Sequence, residues 1–355
     1  MDDNQEKTPL EPQSIPEDNN KKGSKKSITF LCISLFIIVT VGGILYLRVN
    51  KLVVPTNYGE SVVLKPVYGY KTIIAVGDIA CDPTNKFFNE GIGTKDACQQ
   101  KMVAEAIKNE KNINGIFILG DIQYDKGEIE KYKLSFVETW KDIKPPMFIT
   151  LGNHEYGLGN SDQTFAAFSQ YFPAAKLGEK GKGYYSAIIG DWKIYSLNSN
   201  CEYVSCNDNS PQINWLNGEL AADKNKCSLA MWHHPVFTSG EHRELSSTAR
   251  GRNFWKILQQ NHVDVILNGH DHNYERFAKQ SVDNKLDPNG IREIVSGAGG
   301  ATHYPLLPLG PKNSEKGVQN RFGYTKMKLY KMHYAWQFIA ADNGEVLDSG
   351  SDDCI

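Results

Sequence analysis

The sequence predicts an α/β fold preceded by one N-terminal transmembrane helix, and two observations predict it. From residue 71 onward, short β-rich apolar runs alternate with stretches of helical spacing, and five of those runs end on Asp, Asn or His. Upstream, residues 27–47 carry no charge at all. Short apolar runs bounded by glycine mark buried parallel strands, and open α/β sheets bind their ligands beyond the carboxyl ends of such strands.

Residues 1–26 are polar, rich in Pro, Asn, Asp, Glu and Lys, and read as a disordered cytoplasmic tail. The uncharged span 27–47 meets the roughly 20 apolar residues a helix needs to cross a bilayer. Lys21, Lys22, Lys25 and Lys26 precede it, and only Arg48 and Lys51 follow closely. That excess orients the N-terminus to the cytoplasm and the remainder outside. A cleaved signal peptide is the rival reading; the long polar leader and the lack of an A-x-A site argue against it. A buried core helix is a further alternative, opposed by the scarcity of polar positions.

Residues 48–70 read as a linker or, at Ser61-Val-Val-Leu64, a first edge strand. A catalytic domain over 71–355 then follows. Strands are expected over 71–77, 115–119 and 147–151, with helices near 95–109, 127–140 and 162–171. Tyr184–Ile189 and Trp192–Asn198, joined by Gly190-Asp191, read as a hairpin. Pro211 suits the first turn of a helix to about 223. Strand 228–232, a helix near 248–260 and strand 263–268 come next, and the tail is β over 291–297, 324–331, 333–341 and 344–349.

Lys and Arg number 39 and Asp and Glu 41, so no basic field draws the chain to nucleic acid. A site for an anionic substrate must take its positive charge from metal instead. Cys32 falls within the uncharged span, and six cysteines remain: Cys81, Cys98, Cys201, Cys206, Cys227 and Cys354. An even number in an exported segment suggests disulfides, although six cysteines allow 15 pairings and free buried thiols are the alternative. Cys81–Cys98 would clamp the loop after Asp78, Cys201–Cys206 would close a tight loop, and Cys227 and Cys354 are left for each other. No CxxC pair is present for structural zinc.

The five run ends are Asp78, Asp121, Asn153-His154, His233-His234 and His270-Asp-His272. Carboxylate, amide oxygen and imidazole together suit two adjacent hard or borderline cations. Asp121 can bridge two ions with its two oxygens. Tyr124, three residues on, can return its phenol to the same ion, and a tyrosinate favours Fe(III). Six of nine histidines fall in or just after these runs, the sixth being His242. His234 is read as a packing residue beside the site, and His303 as a surface or rim residue.

In this order Asp78, Gly-Asp121-x-x-Tyr124, Gly-Asn153-His154-Glu155, His233-x-Pro235 and Gly-His270-x-His272 resemble the five motifs of the purple acid phosphatases, within the calcineurin-like metallophosphoesterases. The resemblance covers roughly residues 71–300. It implies a four-layer αββα metallophosphoesterase sandwich. It implies two metal ions: Fe(III) on Asp78, Asp121, Tyr124 and His272, and Fe(II), Zn(II) or Mn(II) on Asp121, Asn153, His233 and His270. His154 and His242 match histidines that contact phosphate and assist the leaving group. The first motif departs from the family's Asp-x-Gly, reading Asp78-Ile-Ala80.

The expected activity is metal-dependent hydrolysis of small phosphomonoesters by a water activated between two cations about 4 Å apart. The same site also fits a phosphodiesterase or nucleotide hydrolase, with loops 82–96, 156–182, 201–212 and 301–322 shaping the choice. A non-catalytic surface binding protein is a third reading, opposed by the competent side chain at every ligand position.

Overall fold

The computed structural model describes residues 52–55, 61–64 and 69–355, so the expected tail and membrane span lie outside the described residues. Among the described residues no helix is long and apolar enough to cross a membrane. The chain divides into two units, Met1–Val67 and Tyr68–Ile355. In the first, Leu52–Pro55 (β1) pairs antiparallel with Ser61–Leu64 (β2), Leu52 opposite Leu64. The 61–64 segment is thus an arm of its own hairpin and not an edge strand of a larger sheet.

In the second unit Lys71–Val76 (β3) leads to Gln100–Asn109 (α1) and Ile113–Ile118 (β4). A second helix (α2) starts at Ile129–Tyr132, widens to a π turn over Lys133–Val137 and closes over Glu138–Trp140. Met147–Ile149 (β5), Asp162–Tyr171 (α3), Tyr185–Ile189 (β6) and Trp192–Ser196 (β7) follow. Next come Pro211–Ala222 (α4), Cys227–Met231 (β8), Leu245–Thr248 (α5), Arg252–Gln260 (α6) and Val265–Asn268 (β9). The rest is β: Tyr274–Phe277 (β10), Arg292–Ser296 (β11), Ser314–Val318 (β12), Gly323–Leu329 (β13), His333–Ala340 (β14) and Val346–Asp353 (β15).

These strands make two sheets, ordered β15-β14-β13-β3-β4-β5 and β12-β10-β11-β9-β8-β7-β6. The site-bearing strands are parallel within each: β3 with β4 and β4 with β5, then β7 with β8 and β8 with β9. Their alternation builds the layers. Ile73, Ala75, Phe117 and Leu119 pack between the sheets against Leu229, Met231, Val265 and Leu267. Their neighbours Ile74, Val76, Ile116 and Ile118 face outward onto α1, α2 and α3. On the other sheet Ala230 and Ile266 face α4 and α6 through Leu216, Phe254 and Trp255. Both faces of each sheet are covered, which is why these strands read as continuous apolar runs.

Three helices begin later than their apolar spacing suggests, at 100, 129 and 252. At the first, Cys98 holds a left-handed φ of 62°, which a helix cannot include. The sequence reading missed β10 and β12. Tyr274–Phe277 is buried along nearly its whole length and so shows no alternation. Ser314–Val318 has no apolar pattern and is extended because β10 pairs with it, Tyr274 opposite Val318.

Charge also ties the sheets together. Asp348 on β15 accepts from Arg276 Nε at 2.7 Å and from Tyr274 Oη at 2.6 Å. Asp352 pairs with Arg292, and both guanidiniums lie over the Trp336 ring, at 5.2 and 4.9 Å. The structure joins Cys81 to Cys98, Cys201 to Cys206 and Cys227 to Cys354. The last spans 127 residues and fastens the chain end to β8. Replacing both Cys227 and Cys354 by serine is expected to lower unfolding free energy by about 2–5 kcal/mol, the usual range for a native disulfide. Urea unfolding without reductant measures it; a midpoint equal to the parent's would show that the closure adds nothing.

Candidate metal centre

Asp78, Asp121 and Asn153 follow β3, β4 and β5 on one sheet; His233 and the pair His270 and His272 follow β8 and β9 on the other. Asp78, Asp121 and His270 leave their strands with φ of 60°, 47° and 73°. That left-handed turn costs energy for a non-glycine residue and is held only where the surroundings over-determine it. Here they do. His270 N–H donates to Asp78 Oδ2 at 2.8 Å, and His154 N–H to Asp121 Oδ1 at 2.9 Å. The glycines before the ligands allow the approach: a Cβ on Gly152 would collide with the Asp121 carboxylate, and one on Gly269 would lie 2.6 Å from Asp78 Oδ2.

The structure brings all seven expected ligands together. Tyr124 Oη lies 3.0 Å from Asp78 Oδ1, 3.2 Å from Asp121 Oδ2 and 2.8 Å from His272 Nε2. His233 Nε2 lies 3.2 Å from each of Asp121 Oδ2, Asn153 Oδ1 and His270 Nδ1. His233 Nδ1 donates to the Leu119 carbonyl at 2.7 Å, so in the neutral ring Nε2 carries a lone pair. It then faces two oxygen acceptors and another imidazole nitrogen. A cation resolves that convergence of lone pairs, and one N–H cannot meet all three. Tyr124 poses the same problem, since its one hydroxyl proton serves one of three acceptors. The donor set therefore fits two cations that share Asp121.

Burial and mutual charge perturb these groups strongly. Burial raises the Asp78 carboxyl well above its usual range, and neighbouring Asp121 adds to it. Burial would raise Asp121 too, but His233 and His154 beside it hold it well below. Burial would lower His233, yet the Asp121 carboxylate lifts it to about 9. Burial, then Asp121 and Asp78, push the Tyr124 phenol up, so a phenolate there needs a cation of high charge. Burial depresses His272 to about 3 and keeps it neutral, as a ligand must be.

His154 and His242 sit apart from the ligands. Their side chains are 29% and 32% exposed, against 0% for His233 and 3% for His272. His154 Nδ1 bonds the Asp125 carbonyl at 2.5 Å, and the ring lies 4.3 Å from that of Tyr124. Asp271 raises His242 against the effect of burial. His234 is buried, bonds Ser199 Oγ through Nδ1 at 2.7 Å and packs 4.4 Å from the His270 ring. His303, expected at the surface or rim, is half-buried and stacked 3.8 Å from Phe322, and burial lowers it to about 4.

Two positioning carboxylates escaped the sequence reading. Glu155 is buried and accepts from the backbone N–H groups of Asp121 (2.8 Å), Ile122 (2.9 Å) and Gly152 (2.7 Å), and from Tyr132 Oη (3.2 Å). Asp271 accepts from Thr238 Oγ1 at 2.5 Å and from His242 N–H at 3.1 Å, and faces His242 Nδ1 at 3.2 Å. Both lie inside the ligand motifs, in Gly-Asn-His-Glu155 and His-Asp271-His, and that placement was the signal available. The loops expected around the pocket divide. A cavity of about 310 Å³ over the site is lined from residues 81–97, 124–154, 272 and 301–304, whereas residues 201–208 line a different cavity, of about 550 Å³, with 249–256.

A family model described as calcineurin-like phosphoesterase matches residues 71–274. The chain belongs to the calcineurin-like phosphoesterases. A second model, described as iron/zinc purple acid phosphatase-like protein C, matches residues 290–349. Purple acid phosphatase 15 of Arabidopsis thaliana is 30% identical over 162 residues, 44% of this chain and 30% of its own. Tartrate-resistant acid phosphatase type 5 of Rattus norvegicus is 24% identical over 304 residues, 75% of this chain and 87% of its own. The chain thus spans only about a third of that plant relative's length, and most of the rat protein's. A purple acid phosphatase from seeds of yellow lupin (Lupinus luteus) shares the fold, with a TM-score of 0.66 and 18% identity over 83% of this chain and 57% of its own.

Glu155 generates a test. In E155Q the amide nitrogen would face backbone donors. Metal affinity is expected to fall about 10–100-fold, as when a ligand loses the group that orients it. Equilibrium metal titration checks this, and affinity equal to the parent's would show that the clamp does not set the ligand geometry.

Proposed function

We propose that the chain is a binuclear-metal phosphatase that hydrolyses phosphomonoesters, anchored in a membrane by residues 27–47 with its catalytic unit outside the cytoplasm. The observation that carries the reaction is the convergence of seven donor side chains from five strand ends, with the Asp121 carboxylate central to both halves. Fe(III) is assigned to Asp78, Asp121, Tyr124 and His272, and Fe(II), Zn(II) or Mn(II) to Asp121, Asn153, His233 and His270. Such a pair, when bound, supplies Lewis-acid charge to the phosphate oxygens and activates water.

The chain's remaining residues bind and move protons. His154, held through Nδ1, turns Nε2 toward the site, 3.8 Å from Asp121 Oδ2. His242, held through Nδ1 by Asp271, leaves Nε2 for a substrate oxygen. In the protonated form either ring can neutralise charge on phosphate or protonate the departing oxygen. The membrane reading rests on the uncharged span and the four preceding lysines, and an oxidising exterior suits the three disulfides.

Purified full-length protein should hydrolyse p-nitrophenyl phosphate much faster than bis-p-nitrophenyl phosphate or ATP; the reverse order would assign the same site to diesters or nucleotides. D121A should lose both metals and all hydrolysis. H242A should keep both metals and turn over about 10²–10⁴-fold more slowly, the usual general acid–base contribution. Equal metal loss in the two variants would defeat this division of roles.

Protease added to intact cells is expected to digest residues 71–355 and to spare an epitope placed in the first 26. A protected catalytic unit would reverse the orientation.

A further inference from the structure

β5 and β7 belong to different sheets, yet polar side chains join them where both strands end. Ser196 Oγ donates to the Ile149 carbonyl at 3.2 Å, and Thr150 Oγ1 to the Leu197 carbonyl at 2.6 Å. Further along, Asn200 Nδ2 donates to the Leu151 carbonyl at 2.9 Å, and Asn198 Nδ2 to Tyr156 Oη at 2.8 Å. Asn198 Oδ1 accepts from the Asn200 backbone N–H and from its Nδ2, at 3.0 and 2.9 Å, which fixes the two amides to each other. Ser196, Thr150, Asn198 and Asn200 are all buried, so a lost partner would leave a polar atom without water to replace it.

This seam runs into the metal donors from both sides. Thr150 and Leu151 directly precede Gly152 and Asn153 on the six-stranded side. On the other side Ser199 Oγ accepts from His234 N–H at 3.2 Å and meets His234 Nδ1 at 2.7 Å. One hydroxyl therefore holds both the backbone and the ring of the residue after His233. The His234 ring lies 4.9 Å from that of His233 and 4.4 Å from that of His270. Asn153 comes from one sheet and His233 and His270 from the other, so their spacing depends on how the sheets meet at this edge. Among the described residues none of these hydrogen bonds reaches Asp78, Tyr124 or His272, which belong to the other half of the centre.

We propose that the β5–β7 seam sets the geometry of one cation site and not the other. Thr150, Ser199 and Asn200 are positioning residues for the ion assigned to Asp121, Asn153, His233 and His270, and they act through those ligands. The inference rests on the binuclear reading above. A ligand that loses the group orienting it holds its metal about 10–100-fold more weakly.

Zn(II) titration of metal-depleted full-length protein, followed by calorimetry, tests it in two backgrounds. H272A removes a donor from the first half and retains the second; N153A does the reverse. In H272A, adding T150V or S199A should weaken the retained Zn(II) site about tenfold or more, the loss expected of a missing orienting partner. T150S keeps the hydroxyl and should leave that site at parent strength. In N153A the same T150V and S199A changes should leave the retained site unmoved. Equal weakening in both backgrounds would make the seam a general support of the fold, and no weakening in H272A would show that it positions nothing; either result overturns the proposal and leaves the phosphatase reading intact. A parent protein that takes up fewer than two Zn(II) ions overturns both.

Discussion

Asp78 and Asp121 are buried side by side, and among the described residues their ion-pair partners are histidines alone. Two carboxylates in a low-dielectric interior repel each other and have lost their water. Most of the surrounding architecture answers that cost. Backbone N–H groups of His270 and His154 donate to the two side chains. Histidines arrive from the opposite sheet. Cations bound between them would supply the rest of the charge balance, and the arrangement that is expensive without them would make a strong site with them.

The two sheets divide the chemistry. The six-stranded sheet contributes the oxygen donors Asp78, Asp121, Tyr124 and Asn153, and the seven-stranded sheet contributes the imidazoles of His233, His270 and His272. Neither set is complete alone. Their registration depends on the interior layer, where Ile73, Phe117 and Leu119 meet Leu229 and Leu267, and on the charged strap from Arg276 and Arg292 to Asp348 and Asp352. Packing at native density leaves little freedom for one sheet to slide on the other. Burial then falls toward the cleft mouth, from the enclosed ligands to half-exposed His154 and His242. This ordering suits the proposed roles, with the ligand side chains away from water and His154 and His242 open to a phosphate.

Much of this was written in the chain. Periodicity alone placed the strands that carry ligands, because residues buried on both faces must be apolar throughout and the first polar residue after each run is conspicuous. Chemical type at those ends, two Asp, an Asn and His pairs, pointed to a binuclear centre before any distance was known. Helix starts, β10 and β12 were not legible in this way. A left-handed Cys98, a short strand buried along nearly its whole length and an edge strand extended only by its partner leave no periodic trace.

The sequence by itself determined which side chains stand at the strand ends, since local pattern and residue chemistry depend on neighbours a few positions apart. Tertiary structure alone decided that Asp121 sits between both groups of donors, that Glu155 clamps three backbone amides around it, and that Asp271 orients His242. It also decided that the 81–98 loop, rather than the 201–208 loop, walls the site. Each of these depends on contacts between segments tens to hundreds of residues apart, whose geometry is set by the packing of two sheets and by no local preference of the chain.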